Sequence, residues 1–357
     1  MAACKTEGIA EIWQLSSSDR ELPRLINLMK SSAVVFKDRN QVVFESVNCP
    51  DPGPDQVVVN VTHSWISNGT EGSYLRGERI EGDTPWRPGD PHPFPVIAGY
   101  QKVGTVDWVG SEVSDLSKGD SVFVSVSAVT GMFEPRGGHI SPSVSGAGAV
   151  IKLPPGLDPV AYSGLVLTQV GFNCGDRPRL DRGDLAVVVG DGLVGQWAAQ
   201  MLASRGANTL LIGRHADRLA KFKNGETLLE DSGAWVDAVR ERFPEGTQVG
   251  VDTVGSLQVM GQLESVMKRF GHLVSAGFYG PEDRLPLQPP RYKELSIDLV
   301  SGATRERLEK TMDLVAQEKL DTLSLITHQF PVEQAAQAWD LIESKRESAL
   351  GVVLEWI

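Results

Sequence analysis

One stretch decides the fold of this 357-residue chain: Leu185-Ala186-Val187-Val188-Val189-Gly190-Asp191-Gly192-Leu193-Val194-Gly195. The five apolar residues at its start predict a short buried strand. The glycines that follow at the spacing G-x-G-x-x-G predict a tight turn at Gly190, an open backbone at Gly192 and close packing of a helix on the strand at Gly195. The first N–H groups of that helix, from Leu193 onward, would bind phosphate oxygens. The stretch therefore predicts a dinucleotide-binding turn.

The end of the next predicted strand, Thr209–Ile212, indicates which dinucleotide would bind. An enzyme that uses NAD usually carries an acidic residue there to hold the 2′-hydroxyl of the ribose. This chain instead has Gly213, Arg214 and His215, followed by Arg218. A guanidinium can bind the 2′-phosphate of NADP by charge-assisted hydrogen bonds, whereas a carboxylate would repel it. We therefore expect NADP(H), although exposed arginines can also be plain surface cations.

Strands and helices alternate through the middle of the chain. This alternation is typical of βαβ units and a doubly wound parallel sheet. The segments in question are a helix around Asp217–Phe222, a strand at Val249–Asp252, a helix at Leu257–Arg269 and a strand at His272–Ser275.

The pattern before residue 154 is different, because short alternating strands separated by turn residues predict a β-rich, barrel-like domain. Gly77–Pro95 has five prolines and no periodicity, which predicts a long loop. Residues 1–31 form an N-terminal extension with a short helix near Leu22–Met29. The end of the chain predicts the order helix, strand, helix, strand, over Arg305–Glu318, Leu323–His328, Val332–Ser344 and Gly351–Glu355.

Composition excludes several classes of protein. The net charge of −12 is unlike that of a nucleic-acid binder. The longest clean apolar runs are far shorter than the roughly 20 residues that span a bilayer. Cys4, Cys49 and Cys174 lie too far apart to suggest a disulfide framework, so a cytoplasmic protein is expected.

Further motifs give the chain a resemblance to the medium-chain dehydrogenase/reductase superfamily, the superfamily of the zinc alcohol dehydrogenases. They are Asn68-Gly69-Thr70-Glu71, Gly99-Tyr100-Gln101-Lys102-Val103-Gly104, Val251-Asp252-Thr253-Val254-Gly255, Gly271-His272-Leu273-Val274-Ser275-Ala276-Gly277 and Leu325-Ile326-Thr327-His328. The resemblance implies an α/β protein in which a GroES-like β-barrel catalytic domain, 32–164 and 302–357, encloses a Rossmann domain, 165–301. Within the superfamily, the pattern is most similar to the group named for hydroxyethyl-bacteriochlorophyllide dehydrogenases.

The chain departs from the zinc-dependent members at the positions that hold their catalytic metal. Asn68 stands where the family has Cys, Tyr100 where it has His, and Gln101 where it has Glu, while the region near Leu165 offers no ionisable group. Carboxamide and phenol groups are poor zinc ligands. We therefore expect no zinc and a metal-independent reaction.

The resemblance also implies roles for individual residues. Tyr100 would donate to the developing alkoxide and Thr70 would relay or orient the proton, with Asn68 and Gln101 supplying neutral hydrogen bonds. Tyr100 could equally just fill the space that zinc vacates. At the nicotinamide end, Gly277 and Phe278 would hold the carboxamide, and Val254 lies nearer the adenosine half.

Three functions remain open on this evidence. The first is an NADP(H)-dependent oxidoreductase that interconverts an alcohol and a ketone or aldehyde. The second is an enoyl or quinone reductase, and the third is a non-catalytic NADPH-binding protein. A small-molecule substrate and a homodimer paired along an edge strand near Leu295–Val300 are further expectations, the latter implied only by the family.

Overall fold

The computed structural model describes residues 28–82, 84–230, 234–279 and 283–356. The chain divides into two compact units, of which the first ends at Val166 and resumes at Ile326, and the second is Leu167–Leu325. Most of the expected N-terminal extension lies outside the described residues. Leu28 and Met29, which we assigned to a helix, instead begin a strand, because they pair with the strand that follows.

The first unit consists largely of short strands. In chain order, its described elements up to residue 152 are β1 (Leu28–Asp38), β2 (Gln41–Pro50), β3 (Gln56–Trp65), α1 (Asn68–Leu75), β4 (Arg79–Glu81), β5 (Thr84–Pro85), β6 (Val96–Ile97), β7 (Lys102–Val109), β8 (Ser121–Val124), β9 (Ser127–Ala128), β10 (Arg136–Gly137), β11 (Ile140–Ser141), β12 (Ser143–Gly146) and β13 (Val150–Lys152). One sheet has the order β11-β1-β2, with β6 also paired to β1. In a second sheet β13, β8, β7 and β3 are neighbours, and β12 also pairs with β3. The segment 77–95, expected to be a loop, contains the antiparallel pair β4 and β5.

The second unit alternates helices with parallel strands. Its described elements are α2 (Leu165–Asp176), β14 (Leu185–Val189), α3 (Leu193–Ser204), β15 (Asn208–Gly213), α4 (Ala216–Leu219), β16 (Glu226–Leu229), α5 (Trp235–Arg242), β17 (Thr247–Asp252), α6 (Leu257–Val266), β18 (Met267–Ser275), α7 (Gln288–Tyr292), β19 (Ser296–Leu299) and α8 (Arg305–Ala316). The sheet order is β16-β15-β14-β17-β18-β19, with every pair parallel. This order, with the reversal beside β14, is that of a doubly wound dinucleotide-binding sheet. Helix α6 ends at Val266, earlier than we expected, because Met267 already pairs with Thr247 of β17.

Strand β14 shows why the apolar run at 185–189 folds as it does. Ala186 and Val188 belong to the core on one face of the sheet, while Val187 and Val189 belong to the core on the other face. A strand covered on both faces has no solvent side, so it needs no polar alternation. The predicted α/β architecture is confirmed.

The chain then returns to the first unit through β20 (Ile326–Pro331), α9 (Ala335–Ser344) and β21 (Gly351–Glu355). Strand β21 pairs antiparallel with β3 and parallel with β20. The compact second unit therefore extends to Leu325, beyond the residue 301 that we expected. The reason is helix α8, whose Lys310 lies over the ring of Phe172 and pairs with Asp176 of helix α2. No helix within the described ranges is long and apolar enough to cross a membrane.

Candidate functional site

The glycine turn after β14 has the geometry that the sequence predicts. Gly190 has φ of +116°, which favours glycine, and a Cβ on Gly195 would lie 1.8 Å from the carbonyl oxygen of Gly190. A Cβ on Gly192 would meet nothing within 4 Å, so the protein's own packing does not require glycine there. Helix α3 begins directly after Gly192 without a side-chain cap. Its first N–H groups lack intrahelical partners and are suited to phosphate oxygens.

A cavity of about 460 Å³ opens beside this turn, at the carboxyl ends of the central strands. This edge of an open parallel sheet is where such folds bind ligands. Seven of the predicted cofactor residues line it, namely Gly190, Gly192, Gly213, Arg214, His215, Arg218 and Val254. Leu193, Val194 and Gly195 form the first turn of α3 beneath it. Residues predicted from three separate segments, 190–195, 213–218 and 254, are thus brought together.

The loops after β17 and β18 form the other predicted part of the cofactor site. A Cβ on Gly277 would lie 2.0 Å from the Cα of Gly255, so the two backbones are in direct contact. Gly255 has φ of +83°, and its missing Cβ leaves room for the backbone of Phe278. Val254 and Phe278 are both about half exposed.

Asp252 is a residue of this region whose role sequence reasoning missed. Its fully buried carboxylate accepts hydrogen bonds from the N–H groups of Val254 at 2.8 Å and Ser256 at 3.1 Å, and from the hydroxyl of Tyr279 at 2.6 Å. These bonds hold the loop that presents Val254. The motif Val251–Gly255 was visible in the sequence, but the direction of the carboxylate was not.

A second cavity, of about 200 Å³, lies within the first unit. Thr70 and Tyr100 line it, together with Glu71 and Tyr74 of helix α1. The Tyr100 hydroxyl is hydrogen-bonded to the side chains of Ser67 and Thr70. Burial, and secondarily the nearby Glu71 carboxylate, raises the pKa of Tyr100 to about 12. The phenol therefore stays protonated at neutral pH and can donate a hydrogen bond.

Asn68 and Gln101 do not line this cavity, and their catalytic role stays a prediction. The Gln101 side chain is fully buried and its Nε2 donates to the backbone oxygen of Trp65 at 3.2 Å. Asn68 Nδ2 donates to the carbonyl of Leu350 at 3.1 Å. Both carboxamide groups therefore donate to backbone oxygens of the protein itself.

Glu71 takes part in a buried polar chain that sequence reasoning did not assemble. Its Oε1 accepts the N–H of Ser67 at 2.8 Å, and its Oε2 lies 2.9 Å from His139 Nε2. His139 Nδ1 lies 2.8 Å from Ser64 Oγ, which also accepts from the indole N–H of Trp356. A buried carboxylate needs such donors. No local pattern links these residues, which are up to 292 positions apart in the chain.

The metal positions of the zinc-dependent relatives do not offer a zinc-binding donor set in this chain. Asn68 and Gln101 supply carboxamides that already bond to backbone oxygens, and Tyr100 supplies a protonated phenol. Zinc requires thiolate, imidazole or carboxylate ligands. In the part of the chain that the structure describes, no three His, Cys, Asp or Glu side chains are grouped so as to hold a metal ion.

Comparisons with known proteins agree with this architecture. Residues 194–317 match the family model for zinc-binding dehydrogenases. The chain is 23% identical over 337 residues to 2-desacetyl-2-hydroxyethyl bacteriochlorophyllide A dehydrogenase of Cereibacter sphaeroides. The match covers 92% of this chain and 99% of that protein.

Two solved structures show the same fold at 20% identity. One is a short chain alcohol dehydrogenase from E. coli CFT073 complexed with NADH, with a TM-score of 0.79 over 91% of this chain and 99% of that one. The other is a zinc-binding type dehydrogenase from Sinorhizobium meliloti 1021 bound to NADP, with a TM-score of 0.76 over 92% of this chain and 99% of that one. The glycine turn, the doubly wound sheet, the barrel-like unit and these matches together support the assignment of the chain to the zinc-alcohol-dehydrogenase-like medium-chain dehydrogenase/reductase superfamily.

Proposed function

We propose that this protein is a zinc-independent, NADP(H)-dependent oxidoreductase that interconverts an alcohol and a ketone or aldehyde by hydride transfer. The observation that carries the proposal is the protonated phenol of Tyr100 in a small cavity, at a position where the zinc-dependent relatives have a metal ligand. A hydrogen-bond donor placed at the developing alkoxide can replace a Lewis acid.

The cofactor assignment rests on the cavity beside the glycine turn. Gly190, Gly192 and the start of helix α3 would hold the pyrophosphate, Gly277 and Phe278 would hold the nicotinamide half, and Val254 would lie nearer the adenosine half. The Arg214 side chain is exposed and lines the cavity, and no carboxylate among the described residues pairs with its guanidinium. It is therefore available for a 2′-phosphate.

Replacing Arg214 tests this preference directly. We expect Arg214→Ala to weaken NADPH binding by about tenfold or more and NADH binding by less than about threefold, because only NADPH carries the phosphate. Titration of tryptophan fluorescence with each nucleotide gives both dissociation constants, and Trp235 lies in the cavity wall as a reporter. Arg240→Ala, on the exposed face of helix α5, is the matched control. Equal losses for both nucleotides would contradict the NADP(H) assignment.

The chain's own residues have three tasks in the proposed reaction. When bound, the nicotinamide supplies or accepts the hydride. Tyr100 donates its proton to the carbonyl oxygen during reduction, and Ser67 and Thr70 orient its hydroxyl and stabilise the phenolate that forms. At about 200 Å³ the cavity is smaller than the 300 to 1,000 Å³ typical of drug-sized ligands. It therefore favours a compact reacting group.

A substrate panel distinguishes this reaction from the alternatives on the same scaffold. We would incubate the purified protein and NADPH with small ketones, aldehydes, enones and quinones after dialysis against a chelator, and measure metal content in parallel. Reduction of ketones or aldehydes without bound zinc supports the proposal. Reduction of enones or quinones alone indicates a C=C or quinone reductase, and tight NADPH binding with no turnover indicates a binding protein. Activity that requires stoichiometric zinc would refute the zinc-free mechanism.

We also propose a homodimer formed along strand β19. This strand ends the six-stranded sheet, where β18 is its neighbour in the described sheet. Leu299 on β19 and Tyr292 just before it are each 72% exposed. An exposed strand edge flanked by apolar side chains favours pairing with another chain.

Sedimentation of the wild-type protein and of Leu299→Lys tests the dimer. We expect a dimer for the wild type and a shift toward monomer for the variant, because a charge would be buried in the new interface. Leu323→Lys, at another exposed leucine, should leave the mass unchanged. A wild-type monomer at micromolar concentration would contradict the proposal.

The cysteines are compatible with the cytoplasmic location that we propose. Cys49 and Cys174 are buried free thiols. Burial raises the pKa of both, so each thiol stays protonated and poorly reactive.

A further inference from the structure

Asp191, the first variable residue of the glycine turn, makes an unusual set of contacts. Its side chain is almost fully buried, although it lines the cavity of the second unit. The Oδ2 atom accepts hydrogen bonds from the backbone N–H groups of Arg214 and His215, both at 2.7 Å. His215 Nδ1 lies 3.0 Å from the same oxygen, and the Arg218 guanidinium lies 3.7 Å from Oδ1. The carboxylate thus joins the glycine turn to the turn that follows β15.

The position of Asp191 also explains why residue 213 is glycine. A Cβ on Gly213 would lie 2.4 Å from both Cβ and Oδ2 of Asp191. The two side chains therefore cannot occupy this space together. The missing acidic residue at the end of β15, which we took as a sign of NADP, has a packing cause: the acid is supplied by the glycine turn instead.

An acid in this place could act in two opposite ways. It could hold the ribose 2′-hydroxyl, as the strand-end acid of NAD enzymes does, or it could serve the protein alone. A carboxylate has about four acceptor sites. Two backbone N–H groups and the His215 ring already occupy most of them, and Arg218 faces the remaining oxygen. Little capacity or exposure is left for a ribose hydroxyl.

The charges around the cavity support the second role. The basic residues Arg214, His215 and Arg218 and the acidic residues Asp191 and Glu230 all line it. Arg218 lies toward Asp191, so its charge is partly compensated, whereas Arg214 is not paired in this way. Arg214 is therefore the residue best able to bind a phosphate, and its backbone N–H is one of the two that Asp191 holds.

We propose that Asp191 is a positioning residue that sets cofactor specificity by anchoring the 213–215 turn, so that Arg214 faces the 2′-phosphate. This inference rests on the proposed NADP(H) preference. In this proposal an acidic residue favours a phosphorylated dinucleotide, because hydrogen-bond donors of the protein itself compensate the charge of its carboxylate.

Nucleotide titrations of the full-length protein test the role of Asp191. We expect Asp191→Ala to weaken NADPH binding by about tenfold or more and NADH binding by less than about threefold, because the variant loses the two hydrogen bonds that hold the backbone of Arg214 and His215. Asp191→Asn can still accept from both backbone N–H groups with one oxygen, so its loss should be smaller. This variant keeps the test decisive if the alanine variant does not fold. Asp217→Ala, an exposed acid in the adjacent helix α4, is the control and should change neither constant by more than about twofold.

Moving the carboxylate from position 191 to position 213 should reverse the preference between the two nucleotides. Asp191→Gly combined with Gly213→Asp removes the anchor and moves the carboxylate to the strand end, where space is now free. We expect this double variant to bind NADH more tightly than NADPH.

Two results would overturn the inference. Tighter NADPH binding by Asp191→Ala would mean that the carboxylate repels the phosphate, and equal losses for both nucleotides would mean that it supports the loop without regard to specificity. The wild-type ratio of the two constants judges the proposed cofactor, and the change of that ratio in the variants judges Asp191.

Discussion

Tyr100→Phe is expected to lower kcat for ketone reduction by roughly 100-fold while leaving the dissociation constant for NADPH unchanged, because removal of one preorganised donor to a developing oxyanion typically costs that much. The variant keeps the ring, so the cavity wall stays filled. Its hydroxyl partners Ser67 and Thr70 lie in the first unit, whereas the nucleotide cavity is lined entirely by residues of the second. The substitution should therefore lower kcat without changing the dissociation constant for NADPH.

Tyr74→Phe is the matched control for this prediction. Tyr74 lines the same cavity, but its hydroxyl donates to the carbonyl oxygen of Gly82 at 3.2 Å. We expect it to retain at least about half of the wild-type kcat. If Tyr100→Phe were as active as Tyr74→Phe, Tyr100 would be a space-filling residue, which is the alternative that the sequence left open.

The pH dependence of the activity follows from the raised pKa of Tyr100. Burial raises the pKa of this phenol to about 12, so the proton donor is fully present below that pH. Reduction should then show no loss of activity from Tyr100 between pH 6 and 10. Oxidation of the alcohol needs the phenolate as base, and its rate should rise with pH over the same range.

Lys102→Met is expected to stabilise the protein at pH 7 by roughly 3 to 5 kcal/mol. Lys102 is fully buried on strand β7, and among the described residues its Nζ has one hydrogen-bond acceptor, the carbonyl of Ser125 at 3.4 Å. Burial lowers the pKa of this amine to about 7, from 10.5 in an unfolded chain. Each unit of difference corresponds to about 1.4 kcal/mol. Methionine fills a similar volume without a charge to desolvate.

The pH dependence of stability distinguishes this cause from simple repacking. Between about pH 7 and 10.5 the unfolded chain binds a proton at Lys102 that the folded protein does not, so this group makes the wild type more stable as pH rises. Below pH 7 both states are protonated and the full penalty applies. The advantage of Lys102→Met should therefore shrink from pH 7 to pH 10. The neighbouring Cys49, whose raised pKa acts in the opposite direction above about pH 9, is present in both proteins.

Urea unfolding at pH 6, 7, 9 and 10 measures this effect. Lys118→Met is the control, since that side chain is 75% exposed and its ion pair with Asp107 lies in solvent. It should change stability by no more than about 0.5 kcal/mol at any pH. A Lys102→Met variant that is less stable than the wild type at pH 7 would refute the prediction.

Local pattern was sufficient wherever the structure depends on neighbours in sequence. Strand β14 and strand β21 have the predicted bounds, because apolar runs flanked by glycine mark buried strands whatever lies around them. Helix bounds were less accurate: α6 ends at Val266 because a strand pairing competes with helix continuation at Met267. The last residue of a helix therefore depends on where the following segment begins to pair with a neighbouring strand.

The candidate site divides in the same way. The glycine turn and Arg214 could be proposed as cofactor contacts from spacing alone, and both line one cavity in the structure. The contact of Gln101 with the backbone of Trp65 could not be predicted from its motif, because the two residues are 36 positions apart in the chain. Ser67 and His139 carried no motif and were found only through their contacts with Tyr100 and Glu71.

The sequence by itself determined the doubly wound sheet and the glycine turn after its first strand, because each of these follows from residue types within a few positions of one another. Only the tertiary structure decided what the buried charges do. It placed Asp191 against Gly213 and Lys102 in an apolar interior, and it joined Glu71 to His139. The free energy of a charge depends on which donors and how much solvent surround it in three dimensions, and these are set by segments far apart in the chain.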